Sequence, residues 1–267
     1  MVNWAWFGLS RGGLTTGWPE GAGGHGQEGV LGMPRLHLER CAPTCRDCIS
    51  VCPSGAITGS LEEPVTLDYG RCVVCQRCTE VCPTGALEKT TDWAFGVRTR
   101  EALLAGGGRT GSGNAETLPS NRVPRGFGRS LHIRHVDAGS CNGCESELEA
   151  LLNPFYNLHR LGIFFTASPR SADLLLVTGP VTMAMKEPLL ETYRAMPEPR
   201  FVMATGTCAT GGGIAGGGYS CHQGLEGILP VDLWLPGCPP NPAAIMDALL
   251  VLLGRRSERC ALPERAG

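Results

Sequence analysis

Between residues 131 and 253 the apolar positions gather into short β-favouring runs, LHIRHVDA, LGIFFTA, ADLLLVTG, RFVMATG and VDLWLPG, each ending in turn residues. The segments between them at 142–160, 182–196 and 241–253 suit helices. Strands that alternate with helices predict a mostly parallel sheet covered on both faces. Upstream the pattern changes. Residues 105–130 are dominated by Gly, Ser, Pro and Asn and read as a flexible linker. Residues 35–104 carry short loops and helices in two copies, and residues 1–34 are rich in Gly and Trp without clear periodicity. The expected organisation is an extended arm (1–34), a small α+β domain (35–104), a linker (105–130), an α/β domain (131–256) and a tail (257–267).

Length and composition fit two domains of an ordinary globular chain: 267 residues, 42% hydrophobic, 18% charged, net charge −2. That charge offers nothing to nucleic acid. The first residues, MVNWAWFGLSRGG, lack the positive region and long apolar core of a secretory signal. The longest apolar segment, Ala243 to Leu253, is interrupted by Asp247 and is too short to span a bilayer. The expected location is therefore the cytoplasm, where thiols stay reduced and dense cysteine usage means metal rather than disulfide.

Twelve of the fourteen cysteines form three sets of four. The first run is Cys41-x3-Cys45-x2-Cys48-x3-Cys52-Pro53 and the second is Cys72-x2-Cys75-x2-Cys78-x3-Cys82-Pro83. This is the bacterial ferredoxin spacing for two cubane clusters, in which the fourth cysteine of each run serves the other cluster. The assignment is Cys41, Cys45, Cys48 and Cys82 to one cluster, and Cys72, Cys75, Cys78 and Cys52 to the other. Zinc also takes C-x2-C pairs, but repeated four-cysteine runs ending in Cys-Pro favour clusters. The two units repeat almost letter for letter in CPSGAI and CPTGAL. One departure is the extra residue between Cys41 and Cys45, which predicts a local bulge or, less favoured, an altered ligand. A domain so small has little hydrophobic core, so the clusters must supply part of its stability.

The third set is Cys141, Cys144, Cys208 and Cys238. All four follow predicted strands, and in a parallel sheet the loops past the carboxyl ends share one ligand-binding edge. Four thiolates there fit a cubane cluster or a tetrahedral zinc.

GSCNGCESELEALLNP, SPRSADLLLVTGPVT, GTCATGGGI and LPGCPPNPAAIMDAL, in that order, closely resemble the small subunit of membrane-associated, energy-conserving [NiFe] hydrogenases of the formate hydrogenlyase type, homologous to the B subunit of complex I. GLSRGGLTTGWP and LEKTTDWAFGVRTREAL are similar to the ferredoxin-type subunit of the same complexes, so the chain looks like a fusion of two neighbours in an electron path. The resemblance implies a flavodoxin-like domain whose cysteines, Cys141, Cys144, Cys208 and Cys238, hold a [4Fe-4S] cluster next to a nickel-iron site in a separate large subunit. It implies three [4Fe-4S] clusters in all, and an oxidoreductase complex lying peripherally on the inner face of the cell membrane. Implied partners are the hydrogenase large subunit or its complex I homologue, membrane-arm subunits, and an electron donor or acceptor subunit or ferredoxin. The alternative is a complex I-like connecting subunit that passes electrons from NADH or ferredoxin to quinone. Asn142 and Gly143 between the first two ligands favour the hydrogenase branch, since complex I relatives generally have those ligands adjacent.

Glu145 resembles a proton-relay glutamate of hydrogenase small subunits, while the competing reading is a carboxylate favoured by a helix N-terminus. GGGIAGGG at 211–218 contains a G-x-G-x-x-G, read instead as a loop kept bare beside a cluster. His132 and His135 are an odd number apart on one strand and so point to opposite faces. His159 and His222 read as surface or core residues. Cys221 and Cys260 are left over as idle thiols. Arg170 reads as a support for its strand or a partner to an acidic surface, and Trp4, Trp6 and Phe7 as a contact to a membrane partner. The Gly-rich arm is expected to lie on a neighbouring subunit.

Overall fold

The computed structural model describes residues 6, 9–10, 14–21, 23–107 and 130–258. Most of the expected linker, nearly all of the tail, and Cys260, Trp4 and Phe7 lie outside the described residues.

The eight-cysteine region is built as two related halves. Strands β1 (Arg35–Leu36), β2 (Ile57–Thr58), β3 (Thr66–Asp68) and β4 (Leu87–Glu88) pair antiparallel, β1 with β4 and β2 with β3. Each half places a single turn of 3-10 helix before its first cysteine, Leu38–Arg40 before Cys41 and Tyr69–Arg71 before Cys72. A short α-helix follows in each, α1 (Asp47–Ser50) and α2 (Arg77–Val81). The matching backbone angles of Cys41 (φ −73°, ψ 124°) and Cys72 (φ −72°, ψ 124°) express the repeat. Strand β5 (Leu104–Gly106) adds antiparallel to β3, so ordered structure runs into the stretch read as linker. Asp68 fixes that corner. It accepts from the Gly70 N–H at 2.8 Å and pairs with Arg100 at 2.6 Å.

The second half is a five-stranded sheet of β6 (Leu131–Asp137), β7 (Ile163–Phe165), β8 (Leu174–Thr178), β9 (Phe201–Thr205) and β10 (Leu233–Leu235). The spatial order is β7-β6-β8-β9-β10 and every pairing is parallel. Counted along the chain this is 2-1-3-4-5, the flavodoxin-like winding, with its switch point between β6 and β8. The helices are α3 (Gly143–Ala150), α4 (Lys186–Arg194), α5 (Thr207–Gly211) and α6 (Pro242–Leu252). Helix α3 stops short of the helical stretch expected over 142–160. Pro154 cannot donate into a continuing helix, and the chain turns before a 3-10 turn at Leu158–Leu161.

Alternating side chains divide the sheet between two cores. Ile133, Leu174, Leu176, Met203 and Leu235 pack with α3 and α6. On the other face, Val136, Leu175, Val177, Val202 and Trp234 share one core with Leu189 of α4 and with Ile57, Leu67, Tyr69, Phe95 and Leu103 of the cysteine-rich half. The small domain thus does the work of a covering helix. Main-chain bonds between Val97 and Trp234, at 2.7 and 3.0 Å, stitch the halves together.

The described part of the arm lies on its own chain. Thr16 N–H donates to Phe155 O (2.9 Å), Gln27 Nε2 donates to Tyr156 Oη (2.7 Å), and Trp18, His25 and Trp93 meet edge to face. Aromatic rings and backbone donors of the arm's described residues are used here within the chain.

Candidate iron–sulfur centres

Cys41, Cys45, Cys48 and Cys82 line one hollow, with Leu36, Val65 and Leu87 around them. Cys52, Cys72, Cys75 and Cys78 line a second, with Pro34, Ile57 and Leu67. The fold therefore brings the cysteines together in the crossed grouping expected from their spacing. Burial, reinforced by neighbouring thiols, pushes Cys48 and Cys78 up to about 11 and Cys72 up to about 12. Positive charge from cluster iron would offset that cost for the thiolate forms. Burial alone would also raise Cys82, but N–H groups of Leu87, Thr84 and Ala86 and the Thr84 hydroxyl outweigh it and lower it. Ala56 N–H points likewise at Cys52 Sγ (3.2 Å). Donors aimed at the two crossing ligands suit sulfur that carries negative charge.

The extra residue after Cys41 changes the loop. In the second run Val74 and Gln76 adopt positive φ (57° and 61°) to turn the chain, whereas among the described residues of the first run none does. One more residue closes the same loop without left-handed backbone, and Cys41 still lines its hollow.

The third set gathers at the carboxyl edge of the sheet. Cys141 and Cys144 flank the start of α3, Cys208 lies in α5 after β9, and Cys238 follows β10. Cys144 is raised by burial first, then by Glu145 and by Cys208, Cys238 and Cys141. Cys208 is pushed up to about 11, again by burial first and then by Cys238, Cys141 and Cys221. Glycines keep the cradle clear. A Cβ on Gly206 would stand 2.6 Å from Cys144 Sγ, and one on Gly213 would stand 2.9 Å from Cys208 Sγ. Within the glycine-rich 211–218 segment, Gly213 is the residue kept bare beside a cysteine, while Gly211 abuts Gly70 O and Gly217 abuts Gln223. Among the described residues no three His, Cys, Asp or Glu side chains converge as a single metal ion requires.

A polar network adjoins this site. Glu145 Oε2 accepts from Ser140 Oγ (2.7 Å) and Oε1 accepts from Thr178 Oγ1, which in turn meets His135 Nε2 at 2.9 Å. The single Thr178 hydroxyl hydrogen is used in the bond it donates to the carboxylate, so the Thr178 oxygen accepts from His135 Nε2–H. Burial lowers the His135 pKa, and the pull of Glu145 only partly offsets it. Sequence reading found Glu145 but not its partners, because His135 and Thr178 sit on two different strands. His132 pairs instead with Asp173, and His159 stacks on Phe164.

The family described as NADH ubiquinone oxidoreductase, 20 Kd subunit, matches residues 141–252, and the 4Fe-4S dicluster domain matches residues 40–86. The probable membrane-bound hydrogenase subunit mbhJ of Pyrococcus furiosus is 44% identical over 127 residues, which cover 48% of this chain and 76% of that one. The chain belongs to the NADH ubiquinone oxidoreductase 20 Kd subunit family. Formate hydrogenlyase subunit 7 of Escherichia coli is 44% identical over 126 residues, 47% of this chain and 49% of that one. The chloroplastic NAD(P)H-quinone oxidoreductase subunit K of Spinacia oleracea is 44% identical over 110 residues, 41% of this chain and 48% of that one. The chain spans about half the length of these last two relatives. The 20 Kd subunit match opens at Cys141 and takes in Cys144, Cys208, Cys221 and Cys238, while the dicluster match takes in the eight cysteines of the first two runs. No helix among the described residues is long and apolar enough to cross a membrane.

Proposed function

We propose that this chain is the electron-transfer subunit of a membrane-associated multisubunit [NiFe] hydrogenase, carrying three [4Fe-4S] clusters on Cys41, Cys45, Cys48 and Cys82, on Cys72, Cys75, Cys78 and Cys52, and on Cys141, Cys144, Cys208 and Cys238. The observation that carries the reading is the gathering of twelve cysteines into three groups of four, two of them around hollows and one at an exposed sheet edge. Each cluster, when bound, accepts and releases one electron at a time. The chain holds the clusters in order, keeps two of them among apolar side chains, and presents Cys141 and Cys238 at the surface toward a large subunit. Further partners are membrane-arm subunits and an electron donor or acceptor, with the assembly peripheral on the inner face of the cell membrane.

Glu145 is the group proposed to pass protons beside that partner. Its carboxylate is fixed by Ser140 and Thr178 and is only 15% exposed. Replacing it with Gln should cut turnover by ~10²-fold or more while cluster content stays unchanged. Unchanged turnover would leave Glu145 as a helix-start residue only.

A second reading, quinone reduction, draws on the likeness to subunit K of quinone oxidoreductases. Asn142 weighs against it. It turns the chain in the left-handed region (φ 69°) and sets Cys141 apart from Cys144. Sequencing the large-subunit partner decides the matter: nickel requires a C-x2-C pair near each end of that chain, and their absence would remove the hydrogen chemistry.

A further inference from the structure

We infer that Thr207 is the electron bridge between the cysteine-rich half and the sheet-edge centre, and that the Cys52, Cys72, Cys75 and Cys78 group is the one that exchanges electrons across the junction. The inference rests on the three-cluster reading. Thr207 is 1% exposed, buried where the halves meet. Its Oγ1 donates to the carbonyl of Cys72 at 2.8 Å and accepts from the Gly237 N–H at 3.1 Å. Cys72 belongs to the second group, Thr207 precedes Cys208, and Gly237 precedes Cys238. One hydroxyl therefore touches the main chain of a ligand of one centre and neighbours two ligands of the next. From Cys72 to Cys208 the covalent path is interrupted once, at the 2.8 Å hydrogen bond. From Cys72 to Cys238 it is interrupted twice, both times at the Thr207 oxygen.

Electron coupling decays more slowly along bonds and short hydrogen bonds than across open contacts, which favours a path with a single 2.8 Å break. With both groups loaded, the one electron given up by the cluster that Cys52, Cys72, Cys75 and Cys78 would hold is the one gained by the cluster that Cys141, Cys144, Cys208 and Cys238 would hold, or the reverse. No ligand is exchanged, and Thr207 keeps its proton. The other hydroxyl at the junction, Thr210, donates to Gly70 O at 2.7 Å. It joins the halves with a bond of the same kind, two residues away from a ligand on each side.

That pair gives the test, on the full cluster-loaded chain. A ruthenium photosensitiser is tethered to an introduced thiol at Leu61→Cys, which is 72% exposed in the cysteine-rich half. Every variant also carries Cys221→Ser and Cys260→Ser. After a light pulse, freeze-quench EPR follows arrival of the electron at the third centre. Thr207→Val should slow arrival by about tenfold, the lower edge of what losing an outer-shell partner costs, with iron content and the two cluster potentials unchanged. Thr207→Ser, which keeps the hydroxyl, should restore the rate, and Thr210→Val should stay within about twofold of the parent. If Thr207→Val loses iron, Thr207→Ala replaces it. Arrival as fast without the hydroxyl as with it, slow arrival in Thr207→Ser, or equal slowing in Thr210→Val would overturn the bridge. Iron well short of about 12 atoms in the unmodified chain would instead sink the three-cluster reading beneath it.

Discussion

At the scale of single residues, Gly206 sets how close a side chain can come to the sheet-edge cysteines. Gly206 has φ 88°, and a Cβ there would lie 2.6 Å from Cys144 Sγ. Gly227 has a similar φ of 74° but open space around its Cα. Gly227→Ala meets the cost of a positive φ, about 1 kcal/mol, whereas Gly206 (φ 88°, ψ 156°) sits in a region that is essentially glycine's alone, at about 1–3 kcal/mol. Only Gly206→Ala also displaces a ligand. It should lose about 4 of about 12 iron atoms while the EPR signals of the ferredoxin-type pair persist, and Gly227→Ala should keep them all. Equal iron in the two variants would mean that the cradle tolerates the methyl. Cys238→Ser should reproduce the Gly206→Ala pattern. His135 makes a second prediction. Its folded pKa is lowered by burial, so the unfolded chain binds the proton more readily. The stability gained from keeping it neutral is complete above its unfolded value of about 6.5 and is lost as pH falls through the lowered folded value. Urea midpoints at pH 7 and pH 5 should therefore drop further in the parent than in His135→Gln, and an equal drop would contradict the assignment.

At the scale of elements, α6 shows how far local sequence reaches. Its start is legible: Asn241 Oδ1 accepts from Ala244 N–H at 2.8 Å, and Pro242 occupies the first turn, where its missing N–H costs nothing. Its end is not. The carbonyls of Val251 and Leu252 receive Arg98 Nη2 at 2.6 and 3.2 Å, from a segment more than 150 positions earlier. Arg98→Ala should cost ~2 kcal/mol, as a charge-assisted hydrogen bond at a helix end does. Calorimetry would check this; no shift in Tm would mean that water serves those carbonyls equally well. The same division runs through the chain. The strands announce themselves by short apolar, β-favouring runs, and the first eight cysteines by close spacing, because both signals are local. The winding order, the Thr178 and His135 partners of Glu145, and the seat of the arm depend on residues distant in sequence. No period or motif records them.

At the scale of the whole molecule, the cysteine-rich half is both a wire and a wall. Its Ile57, Leu67, Phe95 and Leu103 close the sheet face carrying Val177, Val202 and Trp234, where a doubly wound fold would place another helix. That half has few apolar residues of its own, and its loops converge on two groups of thiols that repel one another once ionised. Bound iron should thus stabilise the wall, and through it the sheet. Stripping iron from the full chain with acid and a chelator, without oxygen, should lower Tm by more than about 10 °C, given about 2–4 °C per kcal/mol for a chain near this size. Dye binding to exposed apolar surface should rise as the second face opens. Far-UV circular dichroism should keep much of its signal, because the opposite face is packed by α3 and α6 in a core of its own, which the cysteine-rich half meets at its rim through Trp93, Gly96 and Arg98. An iron-free chain with an unchanged Tm and no dye binding would show that protein packing alone holds the wall, and that the clusters serve only as carriers.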